Sequence, residues 1–190
     1  PAISGISPTV IVNAVATNVT ISGSNFVSVP NVEAMSSAGA IVTANSVTFT
    51  NATTLVANFT LPTQTYFIRV ENPDGLAVRS GSALLNSSPA PVWQTASGTL
   101  GSFSAGDSIS VQVTATGDAT LAYSVASGSL PGGLSLNTSN GTISGTNSGT
   151  SVTTTFTATI RVTDGDAQTS DRSFSITIEV GMQNSGQWNP

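Results

Sequence analysis

The chain contains no cysteine, no histidine and no lysine, and these three absences exclude much of protein chemistry. Without cysteine there is no disulfide, no thiolate metal site and no thiol nucleophile, so packing and backbone hydrogen bonds must hold the fold. Without histidine or lysine the usual general bases and Schiff-base amines are missing. Only a carboxylate pair of the glycosidase kind could act, and the acids fall in expected hairpin loops with no long insertion to form a cleft, so no enzymatic activity is expected. Charge is scarce. Charged residues make up 7% of the 190, the net charge is −5, and the basic side consists of Arg69, Arg79, Arg161 and Arg172. Basic clusters that could neutralise phosphate or anionic lipid are therefore lacking, and neither nucleic acid nor a polybasic membrane contact is expected. No run approaches the roughly eighteen apolar residues of a membrane span. Pro1 opens directly into domain sequence without a charged, apolar-cored leader, and the numbered chain is expected to be a mature product or a fragment.

What is present is β-forming. Val, Ile and Thr recur in short runs of period two, about every ten residues, between Gly, Asn, Asp and Pro clusters. Ile109, Val111 and Val113 alternate with polar residues, as do Leu121, Tyr123 and Val125. Phe156, Ala158, Ile160 and Val162 form a third run and Phe174, Ile176, Ile178 and Val180 a fourth, which predicts a hairpin closed by a loop from Asp164 to Asp171. Earlier, Val19 and Ile21 precede a Gly23-Ser24-Asn25 turn, and Tyr66, Ile68 and Val70 run into Asn72-Pro73-Asp74-Gly75, which has turn chemistry at every position, before a strand resumes over 76–79. Between the halves, Asn86-Ser87-Ser88-Pro89-Ala90-Pro91 is polar and stiffened by two prolines. The reading is all-β, two tandem immunoglobulin-like β-sandwiches: a domain over 1–86, a Pro-rich linker at 87–91, a second domain over 92–180 and a tail at 181–190.

Three pieces in order, Ile3-Ser4-Gly5-Ile6-Ser7-Pro8, then Val19-Thr20-Ile21-Ser22-Gly23-Ser24-Asn25-Phe26, then Tyr66 to Gly75, make the first half resemble the IPT/TIG family of immunoglobulin-like domains. The family usually has Gly before the tyrosine where this chain has Thr65, but Tyr66 still stands where a tyrosine-corner hydroxyl would return to the backbone. The second half carries Tyr123-Ser124-Val125, the run from Ser127 through Leu130-Pro131-Gly132-Gly133-Leu134 to Leu136, the turn Asn140-Gly141-Thr142-Ile143-Ser144-Gly145-Thr146 and the ending Arg161-Val162-Thr163-Asp164. It looks like an immunoglobulin-like family related to cadherin repeats. With Pro91-Val92-Trp93 at its start and Asp171-Arg172-Ser173-Phe174-Ser175-Ile176 at its end, it is similar to domains frequent in structural proteins of tailed phages. The resemblance implies fold and surface placement, and no reaction.

Candidate site residues follow. Asp164, Asp166 and Asp171 crowd one expected loop, with Asp107 and Asp118 at sandwich ends, and hard oxygens are what calcium takes; the plainer reading is a solvated hairpin loop. No other cofactor is expected. Trp93, at the start of the second domain, is expected as a core or interdomain plug, and Tyr66 and Tyr123 fall on core-facing alternations, so no sugar-stacking platform is expected. Trp188 lies in the tail after the last predicted strand, where docking on a subunit or continuation into another domain is expected. The Asn-X-Ser/Thr triplets at Asn18, Asn51, Asn58, Asn86, Asn137 and Asn140 are the number that chance gives in a Ser/Thr-rich chain. Lack of lysine also excludes a Lys–Asn isopeptide staple.

The functional expectation is a non-enzymatic structural or adhesive surface module. The leading version is a virion surface protein of a tailed phage, a capsid decoration or fibre protein or a tail-fibre segment, whose partners are other virion subunits and a host-surface glycan met by loops such as 31–40 or 164–171. The alternative is a spacer or adhesion module of a bacterial extracellular adhesin or secreted multidomain enzyme, at the cell surface.

Overall fold

The computed structural model describes residues 1–180 of the 190. It divides into two compact units, between Pro89 and Ala90. Among the described residues there are nineteen strands and no helix, so none is long and apolar enough to cross a membrane.

The first unit contains β1 (Ala2–Ser7), β2 (Val10–Val12), β3 (Thr17–Ser24), β4 (Asn31–Ser36), β5 (Ile41–Thr43), β6 (Ser46–Asn51), β7 (Thr54–Phe59), β8 (Gln64–Glu71), β9 (Ala77–Arg79) and β10 (Leu85–Ser88). One sheet runs β1-β3-β7-β6; the other runs β2-β10-β8-β4-β5, with β9 also on β8. The period-two alternation explains the sandwich, because it turns Val19 and Ile21 of the first sheet toward Val32, Ala34, Ile68 and Val70 of the second, with Leu55, Ala57 and Phe59 completing one core. Tyr66 is buried with them, and its hydroxyl donates to Pro62 O at 3.0 Å, the return to the backbone expected of a tyrosine corner.

Strand β10 changes the reading of the linker. It pairs in parallel with β2 and antiparallel with β8, and Ser87 and Ser88 are buried, with Ser87 Oγ donating to Leu61 O. Two residues assigned to the linker are thus strand residues of the first sandwich. Polar serines gave no apolar alternation to read, although the parallel partner supplies their backbone bonds.

The second unit contains β11 (Val92–Trp93), β12 (Gly98–Ser104), β13 (Ser108–Gln112), β14 (Ala115–Thr116), β15 (Ala122–Gly128), β16 (Leu134–Leu136), β17 (Thr142–Thr146), β18 (Thr154–Thr163) and β19 (Thr169–Glu179). A four-stranded sheet β12-β19-β18-β15 and a three-stranded sheet β13-β17-β16 share a core of Ile109, Val113, Tyr123, Ile143, Ile160, Val162, Phe174, Ile176 and Ile178, while β11 pairs β14. Trp93 is buried in this core, 5.4 Å from the Phe174 ring and 6.0 Å from Tyr123, both edge-on, with its Nε1 donating to Ser170 O.

Two apolar residues of the expected core lie at the surface. Val125, on the edge strand beside a bulge between Val125 and Ser127, is 41% exposed, and Val180, past the end of β19, is 45% exposed. The hairpin loop is also shorter than expected: β19 begins at Thr169, which leaves 164–168 as loop and puts Asp171 inside a strand.

Candidate functional site

The acidic loop of the second unit is organised by Asp164. Its carboxylate is buried, and Oδ1 accepts from the backbone N–H of Asp166 at 3.1 Å and of Gln168 at 2.9 Å, the local turn that short acidic side chains favour. Gly165 N–H donates to Asp118 O at 2.9 Å, which ties the loop to its neighbour through backbone and not through the Asp118 carboxylate. Asp171 stands opposite Arg161 across the β18–β19 ladder, and the two form a bidentate pair at 2.8 and 2.7 Å. Hydrogen bonding to Arg161 lowers the Asp171 pKa, and the same bond raises that of Arg161. Asp107 caps its own turn by accepting from Ser104 N–H. Asp164 and Asp171 are therefore given separate tasks, Asp166 enters through its backbone N–H, and no group of three or more metal-ligating side chains gathers among the described residues. Trp188 lies outside the described residues.

The 31–40 segment is strand β4 followed by a tight turn, in which Ser36 N–H donates to Ala40 O and Gly39 N–H to Ser36 O. This matters because it moves Asn31 and Glu33 from a loop onto the outer face of a sheet.

On that face the first unit concentrates its charge. Arg69 of β8 faces Glu33 of β4 and donates to Glu33 Oε2 at 2.8 Å through Nη1; Nη2 donates to Glu71 Oε2. Those bonds, Glu71 first and Glu33 second, hold the Arg69 pKa above its ordinary value. Beside them the Arg79 guanidinium sits 4.5 Å from the centre of the Phe67 ring, within cation–π range. One row along, Asn31 faces Glu71 across the strands.

Next to this row the chain folds two loops around a cleft. The β8–β9 connection is a turn in which Gly75 N–H donates to Asn72 O and Asn72 N–H to Leu76 O, with Gly75 at φ 82°, a conformation that glycine adopts freely. The Asn72 side chain, 3% exposed, donates through Nδ2 to Asn25 O at 2.8 Å and accepts through Oδ1 from Val27 N–H at 3.1 Å. One buried amide thus fastens the β8–β9 turn to the β3–β4 loop. Between them lies a cleft of about 320 Å³, lined by Val29, Asn31, Glu71, Asn72, Pro73 and Gly75. Sequence reasoning read Asn72-Pro73-Asp74-Gly75 as a turn alone. The available signal was the scarcity of charge, since Glu33 and Glu71 are two of only nine acids and both converge on Arg69.

Residues 88–179, essentially the second unit, match the family described as "Putative Ig domain". No curated protein matches the chain in sequence at a significant level. Solved structures that the chain is similar to include the tandem Ig repeats of Dlar, at 13% identity over 95% of this chain and 98% of that one with a TM-score of 0.37. The I-band fragment I67–I69 from titin is 14% identical over 94% of this chain and 65% of that one, with a TM-score of 0.43. Protocadherin Gamma B2 extracellular cadherin domains 3–6 are 13% identical over 93% and 52%, with a TM-score of 0.39. The chain is all-β and is built of tandem immunoglobulin-like domains.

Proposed function

We propose that this protein is a non-enzymatic structural and adhesive module displayed on a particle or cell surface, and specifically a virion protein of a tailed phage, either capsid decoration, fibre or tail-fibre segment. The observation that carries the first part is the combination of two apolar cores with, in the second unit, a long outer face that is polar but almost uncharged. On the long β18–β19 hairpin the outward residues include Thr155, Thr157 and Thr159 against Thr177, Ser175 and Ser173; the charge on that face is the closed Arg161–Asp171 pair and Glu179 at the strand end, beyond the rows paired with β18. Such a face offers solvated hydroxyls and no field to attract counter-charged proteins. The second part is supported by the second half's likeness to domains frequent in tailed-phage structural proteins, and the first half is read as the IPT/TIG variety on its three motifs. Other surface subunits and a host-surface glycan are the proposed partners, with Trp188 as a docking anchor for a subunit. Repetition over many copies would convert weak contacts into avidity.

Immunogold electron microscopy tests the reading, with antibody against these 190 residues applied to virions and cells of the source. Gold on heads or tails of particles is the expected result. Label on cell envelopes or secreted material, with clean virions, overturns the phage assignment and favours the bacterial adhesin or enzyme spacer.

A further inference from the structure

We infer that the cleft between the β3–β4 loop and the β8–β9 turn of the first unit binds one ring of a neutral saccharide, with Asn31 and Glu71 as the hydrogen-bonding pair. The inference rests on the surface-attachment reading above and names the ligand class and the place where it is met.

Size gives the first constraint. A volume of about 320 Å³ sits at the lower end of small-molecule sites, which span roughly 300–1,000 Å³, so it admits one sugar ring or a branch end and not a folded partner. Chemistry gives the second. Glu71 and Asn31 are direct cross-strand neighbours, which sets their Cβ atoms roughly 5 Å apart on the outer face. A carboxylate accepts from hydroxyls, while a primary amide both donates and accepts, so the two together can engage adjacent hydroxyls of one ring. Val29, 57% exposed, and Pro73 add an apolar ledge of the kind that receives the C–H face of a sugar.

Preorganisation is the third constraint, and it separates this cleft from an incidental dimple. Arg69 engages Glu71 at Oε2, which fixes the carboxylate and leaves the other oxygen's lone pairs to a ligand. Arg69 is itself held by Glu33. The walls are fixed by the Asn72 amide, whose two bonds cross from one loop to the other. Polar groups oriented by a second layer of bonds lose little freedom on binding. Electrostatics then chooses among sugars: three acids at and beside the cleft, Glu33, Glu71 and Asp74, outnumber the two arginines, Arg69 and Arg79, and no cation among the described residues lines the cleft itself, so uronic and sialic acids are disfavoured and neutral hexoses are selected.

The test is a ¹⁵N–¹H NMR titration of the full chain with methyl glycosides of glucose, mannose, galactose and N-acetylglucosamine, and with glucuronate as the acidic counterpart. The amides of Val29, Asn31, Glu71 and Gly75 are expected to shift with at least one neutral sugar, saturating with a Kd on the order of 1 mM, as suits one ring that exchanges its bonds with water. Glucuronate should bind about tenfold more weakly or not at all. Asn31→Ala and Glu71→Ala should each weaken binding about tenfold, whereas Asp171→Asn, in the other unit, should leave it unchanged. Should Glu71→Ala disturb the sheet through Arg69, the exposed Asn31→Ala decides alone. Unmoved cleft amides with every neutral sugar, shifts confined to other residues, or equal binding of glucuronate would overturn the inference. Gold-labelled virions with a silent cleft would remove the saccharide site and leave the surface reading intact; a responsive cleft on a protein absent from surfaces would do the reverse.

Discussion

At the scale of single residues, this chain uses side-chain amides and hydroxyls where other small domains use disulfides. Asn147 of the second unit parallels Asn72 of the first: 2% exposed, it donates from Nδ2 to Ser104 O and Asp107 O and accepts at Oδ1 from Gly106 and Gly149 N–H. Every capacity of the amide is used, which is what permits its burial. Neither asparagine was legible as a core residue, because in sequence an asparagine in a Gly-rich stretch signals a turn and its partners lie far along the chain. Tyr66 was legible, since its place in an apolar alternation and four residues past Pro62 fixes both its burial and its hydroxyl's target. The Arg161–Asp171 pair gives a prediction with a defined sign. The folded Asp171 pKa is depressed, so the pair's contribution is complete above the ordinary aspartate value near 4 and is lost as pH falls through the folded value. Both side chains are substantially exposed and the effect is small. Thermal unfolding of Asp171→Asn should show a midpoint slightly below that of the parent protein at pH 7, with the gap closing toward pH 2.

At the scale of elements, the apolar alternations located most core strands, but backbone proximity decided the parts between them. Gly133 and Gly145 lie against each other where β16 meets β17: a Cβ on Gly145 would stand 2.1 Å from Gly133 O, and a Cβ on Gly133 2.1 Å from Thr146 O. Both residues have positive φ, 85° and 143°. This gives a physical reason for the Leu-Pro-Gly-Gly-Leu run and the Ser-Gly-Thr end of the following turn, which the sequence displays as a motif without explaining it. Gly145→Ala should therefore destabilise the second unit by about 2–3 kcal/mol, through backbone strain as well as contact, read as a lowered urea midpoint with an unchanged m-value. Where alternation misled, the cause was position in the sheet. Val125 has the right period but lies on an edge strand at a bulge, and Val180 continues a rhythm that the ladder no longer supports. The Asp171 assignment failed as loop for the opposite reason, because a polar residue on the outer face of a long hairpin looks like a turn residue until its partner, Arg161, is known.

At the scale of the whole molecule, each unit carries its own closed core, and the boundary between them is set by pairing and not by composition. The proline-bounded stretch suggested that the first domain ends at Asn86, yet Leu85, Ser87 and Ser88 are buried, Asn13 N–H donates to Ser88 O, and β10 bridges β2 and β8. Ending the chain at Asn86 removes the last two residues of that strand, takes away the bond from Ser87 Oγ to Leu61 O, and leaves Asn13 N–H, which Ser88 O serves, and the β2 groups paired with those two residues without partners. Each lost buried hydrogen bond costs on the order of 1 kcal/mol, a sizeable fraction of the stability of so small a domain. A fragment of residues 1–89 should accordingly unfold in a single cooperative transition, while a fragment of residues 1–86 should unfold at a urea concentration lower by about 1 M or more, as a loss of 2–3 kcal/mol implies for ordinary m-values. Equal midpoints for the two fragments would show that the serine strand is an adornment of the first sandwich and not part of its fold, and would return the boundary to the place that composition alone suggested.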